Sequence, residues 1–229
     1  MVQSGAFGEG TYTLDDKGIM TLTGPGKLVD QGESGTPDGE LVKYLVVEEG
    51  VTSVGGTASN FPNLLYASYP STIDYFKLQS REQVTAVVLA EGISKIENDA
   101  FQGCKSLRTL TLPSTVSRIG MRAFAGTAIT SIELPERMNY IDNAFCNTPL
   151  ESLRCPAGVD TIYPGTFNKC PKLTSITIPK DVTDIREYAF LECGLKDVYY
   201  QGTEEEFKAI KIGEGNEDFL NAEIHYNAE

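Results

Sequence analysis

The apolar and polar positions of this chain fall into a phrase that recurs. Leu110-Thr-Leu112-Pro113, then Val116-Ser-Arg-Ile119 and Ala123-Phe124, return as Ile132-Glu-Leu134-Pro135 with Ile141 and Ala144-Phe145. They return again as Ile176-Thr-Ile178-Pro179 with Val182-Thr-Asp-Ile185 and Ala189-Phe190. The alternation before each proline predicts a short strand with every second side chain inward, and a residue without an N–H ends its pairing. The apolar pair and the Ala-Phe that follow predict two more inward-facing turns. Self-similarity at a fixed period of about 20 to 50 residues is the mark of a solenoid.

The last inward residue of each short strand reads Val47, Tyr69, Leu89, Leu112, Leu134, Cys155, Ile178 and Tyr200, in steps of 20 to 23 residues. This predicts about eight coils joined by a parallel ladder of short strands. The coil around Tyr69 is worn: residues 54–86 lack the Ala-Phe pair, and the coil is found because Pro62 to Ile73 matches Pro171 to Val182. Each coil offers roughly five apolar side chains to a core that exists only when neighbours stack, at about 1.5–3 kcal/mol per large side chain fully buried.

The ends depart from the phrase and read as covers. Tyr12-Thr-Leu14 and Ile19-Met20-Thr-Leu22 alternate on either side of Asp15-Asp16-Lys17-Gly18, which predicts a β-hairpin whose aspartates serve the turn rather than a calcium ion. Gly24 to Gly39 reads as a surface loop. Thr203-Glu-Glu-Glu206 is a capping box that predicts an amphipathic helix using Phe207 and Ile210, and Ala222 to Tyr226 predicts a last strand. The chain therefore divides into a hairpin cap and loop at 1–40, a solenoid at 41–200 and a helix-and-strand cap at 201–229, built as one continuous body.

A strand ending in Leu-x-Leu-Pro or Ile-x-Ile-Pro, then Val-x-x-Ile, then Ala-Phe-x-x-Cys resembles the BspA-type leucine-rich repeat of bacterial surface proteins. The hairpin at Tyr12 and the close from Val198 to Asn227 resemble that family's ends, although Phe207 stands where a Trp is common. The resemblance implies a leucine-rich-repeat solenoid of the α/β class. It also implies a protein at the cell surface or secreted, with adhesion to host or bacterial surface proteins as its role and glycans as a second ligand class.

Composition narrows the partners. The chain of 229 residues has 32 acidic and 19 basic residues, a formal charge of −13, which repels nucleic acid and anionic membrane. Acidic side chains are scattered, as on an ordinary solvated surface. There is no apolar run long enough to insert in a bilayer, and residues 1–10 show no signal-peptide pattern, so export would need a signal or anchor not present in this sequence. A monomer is expected.

Catalytic chemistry has little to work with. His225 is the only histidine, which argues against Ser-His-Asp or Cys-His catalysis and against a His-rich metal site. No phosphate-binding glycine motif occurs, and Glu48/Glu49 reads as solvated surface. The reading is a non-enzyme with no cofactor and no metal. Cys104, Cys170 and Cys193 stand three residues after the repeated Phe, where Thr127 and Thr148 stand in sister coils, so the slot reads as a small packing position holding structural thiols.

What remains is the outer face of the ladder. Positions one and three before each inward anchor point outward together. One row is Val46, Ser68, Val88, Thr111, Glu133, Arg154, Thr177 and Tyr199; the other is Tyr44, Tyr66, Ala86, Thr109, Ser131, Ser152, Ser175 and Asp197. Seven steps of about 4.8 Å make a ribbon of roughly 34 Å. Tyr44, Val46, Tyr66, Val88, Glu133, Arg154 and Tyr199 are the candidate binding residues, and ordinary sheet surface on a structural spacer is the competing reading.

Overall fold

A computed structural model describes residues 2–28, 37–55 and 60–229. It is a solenoid of stacked coils with parallel strand ladders, as the repeat predicts. Gln3–Phe7, Gly10–Leu14 and Ile19–Thr23 form an antiparallel end cap, one strand more than the expected hairpin. Asp15 makes the turn: its Oδ1 accepts from the main-chain N–H of Lys17 at 2.9 Å and of Ile19 at 2.8 Å. Ile19–Thr23 then pairs in parallel with Tyr44–Val47, which continues to Tyr66–Tyr69 and Ala86–Leu89. The loop expected at Gly24 to Gly39 contains a short strand, Gly26–Lys27, and its residues 29–36 lie outside the described residues.

A second ladder of short strands runs along another side of the solenoid. It carries the second residue of each apolar pair: Lys95–Ile96, Arg118–Ile119 and Tyr140–Ile141 form one stretch, and Thr161–Ile162, Asp184–Ile185 and Lys211–Ile212 another. Between the ladders lies the phenylalanine stack. Phe101, Phe124, Phe145, Phe167 and Phe190 are fully buried, with successive ring centroids 5.3 to 6.0 Å apart and nearly parallel. Phe76 extends the stack at one end and Phe219 at the other. The turn two residues beyond each Phe needs a left-handed residue, which is Gly103 (φ 71°) and Gly126 (φ 66°) in two coils but Asn147, Lys169 and Glu192 in the next three.

The worn coil is present. Leu78 takes the phenylalanine position, since its N–H donates to the Ala100 carbonyl as Phe101 donates to that of Ala123. Three residues are missing ahead of it, so Phe76 reaches the stack from a neighbouring position and lies 4.3 Å from the Tyr69 ring. The Tyr69 hydroxyl is buried there without a hydrogen-bond partner. Tyr69→Phe should therefore stabilise the protein by about 1 kcal/mol, because an unsatisfied buried polar group is removed at little change in shape. Urea denaturation measures this, and a destabilised variant would show that the hydroxyl has a partner.

The thiols are structural, as expected, and the slot has a further requirement. The Cys104 Sγ donates to the Leu78 carbonyl at 3.1 Å, and Cys170 and Cys193 donate to the carbonyls of Phe145 and Phe167 at 3.1 and 3.0 Å. Thr127 and Thr148 donate to the carbonyls of Phe124 and Phe145. The position thus takes a small side chain that can also donate, which unites Cys and Thr. No cysteine is paired, and burial pushes the Cys104 and Cys155 thiols up to about 12.

At the C-terminal end the capping box forms as expected, with the Thr203 Oγ1 accepting from the Glu206 N–H and Glu206 accepting from the Thr203 N–H. The helix is short, Glu204–Lys208, so buried Ile210 lies just beyond it rather than on it. A second short helix, Glu217–Leu220, brings Phe219 onto the stack, and Glu223–His225 pairs in parallel with Asp197–Tyr200.

Candidate functional site

The predicted outer rows lie where the alternation puts them. Tyr44, Val88, Glu133, Arg154 and Tyr199 are exposed, and Val46 and Tyr66 are half-buried. Tyr44 and Tyr66 are opposite one another in register, their ring centroids 6.4 Å apart. Val88 is 50% exposed two rungs on from Val46. These side chains make one apolar band across the first three strands of the solenoid proper.

The middle of the face differs from the expectation. Every coil was expected to supply a paired strand, yet Thr109–Leu112 and Ser131–Leu134 form none, and no main-chain hydrogen bond joins these residues to adjacent coils among the described residues. The ladder resumes at Ser152–Arg154. The other ladder stays paired over the same coils, through Lys95–Ile96, Arg118–Ile119 and Tyr140–Ile141.

The parting opens shallow clefts. One of about 410 Å³ is lined by Thr109–Leu112, Ser131–Glu133 and Ser152–Arg154. One of about 270 Å³ runs between Ala86–Leu89 and Thr109–Leu112, and a third of about 370 Å³ lies between Ile132–Leu134 and Arg154. Apolar anchors show through them: Leu89 and Ile132 are 9% exposed and Leu110 and Leu112 7%, against 0% for Leu45 and Ile178 where the strands pair. Leu134, expected to be fully inward, is half-buried. The clefts thus combine apolar floors, main-chain N–H and C=O groups without main-chain partners, and hydroxyl side chains at their rims.

Glu133 and Arg154 flank these clefts without forming an ion pair with each other among the described residues. Arg154 instead donates from Nη1 to the main-chain carbonyl of Glu229 at 2.9 Å. Glu48 and Glu49 are surface groups, and the Glu49 carboxylate has a structural task. Glu49 accepts from the Ser71 N–H and hydroxyl, both at 3.0 Å, and the Ser71 N–H holds its carboxyl below the ordinary value. Glu91 repeats this clamp on Ser114.

The face also has a rung that the expected rows omit. Glu223 lies in register with Asp197 and His225 with Tyr199, so both rows continue onto the last strand. The step from Tyr199 to His225 is outside the 20-to-23-residue period, although the apolar alternation of Ala222 to Tyr226 was a usable signal for the strand.

A profile of the BspA type leucine rich repeat region matches residues 71–196, in six copies. The chain belongs to the BspA-type leucine-rich-repeat family. A comparison with curated proteins finds no match. Among solved structures, a leucine-rich repeat protein from Bacteroides ovatus superposes with a TM-score of 0.64 at 19% identity, over 96% of this chain and 70% of that one, which shows the shared fold. A leucine rich repeat protein from T. pallidum matches at 18% identity over 86% of this chain and 85% of its own, with a TM-score of 0.46. A leucine rich cell surface protein from Faecalibacterium prausnitzii matches at 18% identity over 91% and 97%, with a TM-score of 0.35. In this BspA-type protein the repeated apolar residues lie in the core, while the strand-face rows differ from coil to coil.

Proposed function

We propose that this BspA-type repeat is a non-enzymatic adhesion module, displayed at the cell surface or secreted, that holds a protein partner against its strand face. The observation that carries the reading is the apolar band of Tyr44, Tyr66, Val46 and Val88 running into clefts floored by Leu89, Leu110 and Leu112. Rigid exposed aromatics beside such clefts are the usual anchors of protein contacts. The strand-face hydroxyls supply rim contacts. The acidic surface favours a protein partner over nucleic acid.

The double variant Tyr44→Ala, Tyr66→Ala is expected to lose at least tenfold in affinity for whichever host-matrix or bacterial surface protein binds the parent on an array, with thermal stability nearly unchanged. Unchanged affinity would place the contact elsewhere on the molecule. If the parent binds no protein on such an array, the face is ordinary sheet surface and the chain is a structural spacer of a larger surface assembly.

A further inference from the structure

The rung added by Glu223–His225 brings together three side chains with donor atoms of two kinds. One oxygen each of Asp197 and Glu223 and one ring nitrogen of His225 all lie within 4.8 Å of one another. Asp197 and Glu223 are directly opposite on adjacent parallel strands, and like charges so placed repel. Of the ion pairs formed by the described residues, the one that reaches these carboxylates is His225 Nε2 with Asp197 Oδ1 at 2.8 Å, and it is an ion pair only when the imidazole is protonated. The imidazole is also held in place. Tyr199, its partner across the strands, stacks on it with centroids 4.7 Å apart and planes 16° apart.

We propose that Asp197, Glu223 and His225 form a divalent-metal site at the C-terminal end of the strand face. The donor set selects the ion. Calcium and magnesium prefer all-oxygen shells, whereas an imidazole with two carboxylates suits zinc and its neighbours in the transition series. Tetrahedral zinc at about 2.0–2.2 Å from each donor needs donor separations of roughly 3.3–3.6 Å, so the three groups, now within 4.8 Å of one another, draw closer on binding. A metal would neutralise the two facing carboxylates at once. The fourth tetrahedral position points toward solvent, since all three residues lie on the outer face.

The histidine count makes the test direct, because His225 is the only imidazole in the chain. Zinc titrated into the ¹⁵N-labelled full chain is expected to shift the single set of imidazole resonances saturably, with one zinc bound per chain by calorimetry. His225→Ala should weaken that binding at least tenfold, and Glu223→Gln should weaken it while leaving the imidazole signals of the metal-free protein close to the parent's. Calcium should leave the resonances in place. The proposal is overturned if zinc at tenfold molar excess leaves the imidazole resonances unmoved, or if His225→Ala and Glu223→Gln both bind zinc as the parent does. The adhesion reading fails separately, through Tyr44 and Tyr66.

Discussion

Phe124→Ala is expected to destabilise the protein by about 3–5 kcal/mol, measured by urea denaturation. Phe124 is fully buried, and its ring lies between those of Phe101 at 5.3 Å and Phe145 at 5.4 Å, nearly parallel to both. Truncation leaves a void the size of a ring in a stack whose neighbours are fixed by main-chain bonds. The Phe124 N–H donates to Ala144, and the Phe101 N–H to Ala123. Collapse of the void is therefore limited, which places the cost toward the upper end of the range. Each coil contacts only its neighbours, so breaking the stack in the middle also weakens the coupling between the two ends. A lower denaturant slope, or a second transition, should accompany the loss of stability. A loss below about 1 kcal/mol would show that the ring does not bear on the core.

The parts of this fold that were legible are those in which a residue's neighbours in space are its own counterparts in sequence. Phe101, Phe124, Phe145, Phe167 and Phe190 repeat in the chain and stack in space, so one observation implies the other. The worn coil was legible from its spacing, while the replacement of its phenylalanine by Leu78 was not, because three residues are missing ahead of that position. The outward direction of Tyr44, Tyr66 and Val88 follows from strand alternation alone. The clefts do not: Thr109–Leu112 and Ser131–Leu134 have the same alternation as the paired strands, so nothing in their own residues marks where the ladder opens. His225 joins the face through a longer step than the period allows, so the rows counted from the repeat ended one rung short of it.

Asn216→Ala is expected to cost about as much as the loss of a core ring, roughly 3 kcal/mol or more, although the residue reads in sequence as one more turn asparagine after Gly213-Glu-Gly. Asn216 is 1% exposed, and its side chain makes three hydrogen bonds to main chain. Its Oδ1 accepts from the Phe190 N–H at 3.0 Å, and its Nδ2 donates to the carbonyls of Arg186 at 2.8 Å and Gly213 at 2.9 Å. In the preceding coils the corresponding N–H finds a main-chain partner in the next turn, as Phe167 does in Ala189. At Phe190 the next turn, which pairs Lys211–Ile212 with Asp184–Ile185, offers this N–H a side-chain oxygen instead, and the Asn216 amide stands in for the main-chain carbonyl. Alanine would orphan one buried donor, take this partner from the Gly213 carbonyl and leave the Arg186 carbonyl with the 3.4 Å bond from the Ala189 N–H, at about 1–3 kcal/mol for each group left unpaired that water cannot reach. The damage should also be local. Hydrogen exchange is expected to speed up first at Phe190, Phe219 and the Glu223–His225 strand, while the Gln3–Thr23 cap keeps its protection. Uniform acceleration along the whole chain would mean that the solenoid unfolds as one cooperative unit and that this amide is no more than one contact among many.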